Sequence, residues 1–191
     1  KAYDLLIQAE SGLASITGGP EAPARVGVSL VDIGTGLHAY EAILEALLLR
    51  AKTGEGADIR VSMFDAMMEW MAVPLLFTEH GEAPQRRGLL HPTVAPYGVF
   101  QSQEGLPILI SVQNEREWAT LCRRVLQRPE MIEDARFATN PARIANRQAT
   151  DALVAAHFSA TPVAELERQL AAAEIAFARV NDVHAILRHP H

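Results

Sequence analysis

One cysteine, Cys122, stands in 191 residues. That excludes a disulfide within the chain and any zinc cluster built from thiolates, and it makes a reducing cytoplasm the natural setting. No charge-free run of about 18 apolar residues occurs, which argues against a transmembrane helix. Positive charge is in deficit: Lys and Arg total 17 against 23 Asp and Glu, for a net charge of −6. An acidic balance argues against a nucleic-acid footprint but leaves room for a local basic pocket around a small phosphorylated cofactor. The opening "KAYDLLIQAE" lacks a signal-peptide pattern. Both this opening and the final "RHPH" read as cuts through a longer protein. Neither an internal repeat nor a low-complexity tract is present.

What is there has the balance of an ordinary soluble globular protein, 49% hydrophobic and 21% charged. Leu5, Leu6, Ala9, Leu13 and Ile16 suit a helix ended by Gly18, Gly19 and Pro20. The Val-rich run from Val26 to Val31 predicts a buried strand. A helix is predicted over 34–51, with Lys52 and Gly54 at its end, then a strand over 58–64 and a helix over 65–76. The order strand, helix, strand, helix points to a parallel α/β unit. "HGEAPQRRGLLHPTV", residues 80–94, reads as a linker. Strands at 97–101 and 108–112, joined by "QEGLP", predict a hairpin. The remainder predicts helices at 114–126, 142–158, 162–174 and 181–187, with Asn114, Thr161 and Asn181 as caps.

The most informative stretch is "SLVDIGTGLHAY". Asp32 follows the predicted strand, and Gly34 and Gly36 open the helix after it. Ligands of open α/β sheets bind outside the carboxyl ends of strands, and a helix N-terminus stabilises negative charge on a nearby acyl oxygen. Asp is equally a good N-cap, so a purely structural role for Asp32 stands beside the chemical one. The glycines complete neither GxGxxG nor a P-loop. The histidines show no metal-ligand spacing on one helix face. Met67, Met68, Trp70 and Met71 suit core or interface. Arg86 and Arg87 suit either phosphates or a solvated linker, and Ser11 and Ser29 lack a nearby base for a triad.

Three segments carry a resemblance: "YDLLIQAESGLASITG", "VDIGTGLHAYEAILEALLLRAKTGEGADIRVSMFDA" and "PYGVFQSQEGLPILISVQNEREWATLC". Together they resemble the class III CoA-transferases over essentially the whole chain, a group that includes formyl-CoA transferase, carnitine CoA-transferase and α-methylacyl-CoA racemase relatives. The resemblance implies that Asp32 attacks an acyl-CoA thioester to give a mixed anhydride. CoA thiolate then forms an aspartyl-CoA thioester, and CoA passes to a small carboxylic acid. It implies that Lys1, Tyr3, Gly34, Gly36 and Met63 line the acyl-CoA site. It also implies that CoA is a substrate, that no metal or redox cofactor takes part, and that the protein forms an interlocked homodimer. Residues 91–98 fall where transferases carry a loop over the site. This chain lacks the glycine run of formyl-CoA transferase there, which speaks against formyl or oxalyl substrates. Racemases place a histidine where this chain has Tyr3, and a phenol with a pKa near ~10 is a poor base at neutral pH. Transferase is therefore preferred to racemase. A catalytically silent CoA-binding or oligomerisation module is a further alternative.

The expected fold is α/β. Residues 1–79 would form part of a Rossmann-like large domain with the catalytic aspartate. Residues 95–191 would form a smaller α+β domain beyond the linker at 80–94. CoA contacts to adenine and phosphate are expected before residue 1, so this chain by itself is expected to bind CoA poorly.

Overall fold

A computed structural model describes residues 1–81 and 83–191. These form two compact units, Lys1–Gly88 and Leu89–His191. No helix among the described residues is long and apolar enough to cross a membrane.

The first unit is almost entirely helical. Helix α1 (Asp4–Glu10) and the short α2 (Leu13–Ile16) lead into a two-stranded hairpin, β1 (Gly18–Gly19) and β2 (Ala22–Pro23). The long α3 (Leu30–Thr53), α4 (Met63–Trp70) and α5 (Ala72–His80) follow. Gly54 ends α3 in the left-handed conformation (φ 79°), its N–H donating to the Arg50 carbonyl, a backbone geometry that glycine adopts without steric cost. The Arg86 guanidinium donates to the carbonyls of Ser15, Gly19 and Pro20 and staples the 83–88 segment to the α2–β1–β2 region. Glu82, within the expected linker, lies outside the described residues.

Three expectations fail in this unit. Residues 26–29 are irregular, and Leu30 and Val31 belong to α3, so the predicted strand before Asp32 is not there. The predicted strand at 58–64 is likewise irregular up to Ser62. A strand needs a neighbour to take its N–H and C=O groups. Among the described residues of this unit the only ladder is the β1–β2 hairpin. Third, the single helix predicted over 65–76 is two helices broken at Met71. Pro74 explains the break: it has no N–H for the Trp70 carbonyl four residues back, and its ring crowds that oxygen.

The second unit is an antiparallel sheet with helices against it. Strands β3 (Tyr97–Gln101), β4 (Pro107–Ser111) and β5 (Ala176–Arg179) lie in the order β3-β4-β5, with Val99 opposite Leu109 and Ile110 opposite Phe177. Helix α6 (Glu115–Thr120) runs on as a π-helical turn (Leu121–Val125), followed by a 3₁₀ turn (Pro129–Ile132). Then come α7 (Asn140–Ala145), α8 (Arg147–Phe158), α9 (Val163–Ala172) and α10 (Val183–Ile186). The period-2 pattern sends Phe100, Ile108 and Ile110 into a core with Trp118, Phe158 and Leu166. Asn114 caps α6 as its sequence position implies, its Oδ1 accepting from Glu117 N–H at 3.0 Å. Thr161 does not cap α9 and Asn181 does not cap α10. Thr161 Oγ1 donates to the His157 carbonyl, and Asp182 accepts from Ala185 N–H at the start of α10. Strand β5 has no counterpart in the sequence reading, because "AFAR" is too short and too mixed to stand out.

Candidate active site

The candidate site is built from three helices of the first unit. Ile7 on α1, Val31 on α3 and Met67 on α4 bury one another, with Leu13 and Met63 packed at the edge. This small cluster fixes where α3 begins. Tyr3 occupies the N-cap position of α1 and is 62% exposed. Met63 opens α4, half-buried against Val31 and Ile7, and Ser62 caps that helix by accepting from Asp65 N–H. Lys1 is exposed.

Asp32 is the third residue of α3, not the residue before it. The N-cap position belongs to Ser29, whose side chain makes no capping bond. The capping reading of Asp32 is therefore overturned. Its carboxylate is exposed and has neither a hydrogen bond nor an ion pair among the described residues. It stands in the first turn, where unsatisfied N–H groups and the positive end of the helix favour negative charge. Gly36 lies one turn further along the same face, exposed, and a Cβ there would meet no atom within 4 Å. Gly34 points elsewhere: a Cβ there would come within 2.8 Å of Trp70 Cη2 and 3.2 Å of Met67 Cε. Its bareness serves α3–α4 packing. Further along α3 the His38 imidazole lies 3.5 Å from the carboxylates of both Glu41 and Glu69, a bridge between α3 and α4.

The structure also brings in two residues that the sequence reading passed over. Asp4 Oδ1 accepts from Val31 N–H at 2.8 Å, across 27 residues of chain. The adjacent residues Tyr3 and Asp32 are thereby brought to neighbouring positions. Gln8, fully buried, donates from Nε2 to Asp4 Oδ2 at 2.7 Å and accepts from Val26 N–H at 2.8 Å. The signal available in the sequence was an Asp and a Gln four residues apart on a helix whose other residues, Glu10 apart, are apolar.

An exposed, unpaired carboxylate in the first turn of a helix, with a bare glycine one turn on, is a group able to attack an electrophile from solvent. The family model described as CoA-transferase family III matches residues 1–191. The chain belongs to CoA-transferase family III.

Within that family, the chain is 40% identical over 166 residues to the acetyl-CoA:oxalate CoA-transferase of Acetobacter aceti, covering 85% of this chain and 42% of that protein. It is 33% identical over 159 residues to the succinyl-CoA:glutarate CoA-transferase of Mus musculus, covering 82% of this chain and 36% of that one. Among solved structures, a CAIB/BAIF family protein from Brucella suis superposes with a TM-score of 0.80 at 34% identity, over 99% of this chain and 50% of its own. The hypothetical protein Rv3272 of Mycobacterium tuberculosis superposes with a TM-score of 0.83 at 25% identity, with the same coverage. The chain thus spans less than half the length of these curated relatives and half that of the solved ones.

Proposed function

We propose that the protein carrying this chain transfers coenzyme A from an acyl-CoA thioester to a small carboxylic acid, with Asp32 as the covalent nucleophile. The observation that carries the reading is the state of Asp32: exposed, uncapped and unpaired at the positive end of α3. An Asp32 oxygen attacks the thioester carbonyl. The carbon–sulfur bond breaks, CoA leaves as thiolate, and a mixed anhydride remains. The thiolate attacks the aspartyl carbonyl and expels the donor acid as its carboxylate. The acceptor carboxylate then attacks the aspartyl-CoA thioester, forming a second anhydride and freeing the thiolate. Attack of that thiolate on the acceptor's acyl carbon regenerates Asp32. Each step places negative charge on an acyl oxygen, which first-turn N–H groups of α3 are suited to receive. Water has to be kept out, since it would hydrolyse the anhydride.

In this reading Tyr3, Gly36 and Met63 border the acyl-CoA, and Lys1 approaches its polar part. Gly34 contributes from below by letting α4 close against α3. The first unit is part of a Rossmann-like large domain completed by further chain, which would also supply strand partners for residues 26–31 and 58–62. The apolar side chains that α3 and α5 expose, Leu37, Ile43, Leu47, Leu76 and Phe77 among them, are the surface such chain or a partner subunit of an interlocked homodimer would cover. The setting is cytoplasmic, CoA is substrate, and no further cofactor is needed for the steps above. Because relatives are named for oxalate, glutarate and mesaconate, the acceptor is sought among small dicarboxylic acids, with oxalate kept among them despite the missing glycine run.

The test uses the full-length protein with acetyl-CoA and succinyl-CoA, quenched with hydroxylamine, and mass spectrometry of the peptide containing Asp32. A hydroxamate mass shift on that peptide, absent in Asp32→Ala, is the expected result. No shift, or exchange of an α-proton with deuterated solvent in place of CoA transfer, would refute the nucleophile reading and favour a silent module or a racemase respectively.

A further inference from the structure

We infer that Asp4 and Gln8 are positioning residues for Asp32, acting through a part-buried hydrogen-bond relay that helps set the start of α3. The inference rests on Asp32 being the nucleophile, as proposed above. A helix leaves its first N–H groups without intrahelical partners, and here the residue in the N-cap position offers no side-chain acceptor. Another helix supplies it. Asp4, at the start of α1, accepts from Val31 N–H through Oδ1 (2.8 Å). Its second oxygen accepts from Gln8 Nε2 (2.7 Å), and Gln8 Oε1 accepts from Val26 N–H (2.8 Å). Two side chains therefore hold Val26 and Val31, the two ends of the stretch that delivers the chain to Asp32.

Two features separate this from ordinary packing. Gln8 has no exposed surface, on a helix turn where an apolar side chain would fill the same space. A buried carboxamide is costly unless its donor and acceptor are both satisfied, and here both are, by groups that fix the nucleophile's segment. Val31, also fully buried, is joined to Asp32 by a single peptide bond. Holding the Val31 amide therefore holds the direction in which the Asp32 carboxylate leaves the helix. The Asp32 side chain has no bond of its own among the described residues, so its placement depends on the backbone that the relay and the Ile7–Val31–Met67 cluster hold.

The donor and acceptor pattern can be exchanged without changing shape. Asp4→Asn alone sets an amide against the Gln8 amide. Gln8→Glu alone sets two carboxylates face to face. In the double variant the amide at position 4 donates to the carboxylate at position 8, whose other oxygen still accepts from Val26, while the Val31 bond is kept. The measurement is the single-turnover rate of Asp32 labelling by acetyl-CoA or succinyl-CoA in the full-length protein, together with the melting temperature. Each single variant should slow labelling by about 10- to 100-fold with half-saturating acyl-CoA unchanged, and the double should return to within about threefold of the parent, as expected for a misplaced and then restored reacting group.

Single variants that label within about twofold of the parent rate overturn the inference, since such a displacement would matter far more. So does a double variant that melts like the parent yet labels as slowly as the singles, or one that does not fold. If a single variant does not fold, the double decides alone by the same criteria. Absence of any label on unsubstituted Asp32 is read before a substitution is made, and it removes the nucleophile reading itself.

Discussion

Asp32 owes its freedom to its offset from the cap. Three residues earlier, at the N-cap position, it would be tied to the helix's own N–H groups, and its lone pairs would be spent there. The residue type was legible in the sequence, and the register was not: Ser29 and Asp32 are both good capping residues, and the packing of Val31 under Met67 together with the Asp4 bond to its N–H decides which one begins the helix. The two glycines that follow look alike in sequence and are opposites in the structure. Gly36 faces open space beside Asp32, and Gly34 is filled over by Trp70. Gly36→Ala is therefore expected to raise stability by about 0.5–1 kcal/mol through helix propensity while slowing Asp32 labelling. Gly34→Val is expected to lower stability by about 1–3 kcal/mol through overpacking against Trp70. Melting temperature and labelling rate, measured on both variants of the full-length protein, check this pairing; similar behaviour of the two would contradict it.

Among the elements, helix starts show how the fold uses distant acceptors. Alpha-helix α9 begins after Pro162, and its Val163 N–H is taken by the Glu104 carboxylate from the β3–β4 turn at 3.0 Å. Ser102 Oγ donates to the same carboxylate at 2.8 Å. These bonds, the Ser102 hydroxyl foremost, hold the Glu104 carboxyl below the usual range. A depressed carboxyl contributes stability above its unfolded pKa and loses it as pH falls through its folded one. Glu104→Gln should thus cost stability near neutral pH and little in acid. The gap between the melting temperatures of the two proteins should close as pH falls from neutral through the folded carboxyl's lowered pKa, and a constant gap would argue that the charge is irrelevant. Arg147 plays a comparable part for the segment before β3, donating to the carbonyls of His91, Val94 and Tyr97 while paired with Asp151. The α6 cap, the β3–β4 hairpin and the helical character of 142–172 could be read from local pattern, because their signals are local. The two misplaced strands could not: apolar Val-rich runs satisfy a strand pattern, but whether a ladder forms depends on a neighbour elsewhere in the chain.

At the scale of the whole molecule the two units differ in how much core they own. Leu89–His191 buries a continuous cluster from Phe100 to Ile175 around the three-stranded sheet. Lys1–Gly88 buries little more than Ile7, Val31 and Met67 and leaves much of α3 and α5 apolar and exposed. Burial of apolar surface is the main favourable term in folding, so the second unit should fold alone and the first should not. A fragment of residues 89–191 is expected to show a cooperative thermal transition by circular dichroism, and residues 1–88 to lack one or to aggregate. A first fragment that melts cooperatively as a monomer would contradict the view that its apolar helices need covering.

From the sequence by itself came the family and the candidate residue: the motif around Asp32, the acidic single-cysteine composition, the hairpin and the run of amphipathic helices all rest on local order and residue type. Tertiary structure alone decided that Asp32 lies inside α3 with no side-chain bond among the described residues, that Gly34 belongs to packing and Gly36 to open space, and that Asp4 and Gln8 reach across 27 and 18 residues to hold the segment before Asp32. The reason is that a hydrogen bond between distant residues leaves no periodicity in the chain. Its partners become visible only when burial brings them within 3 Å of each other.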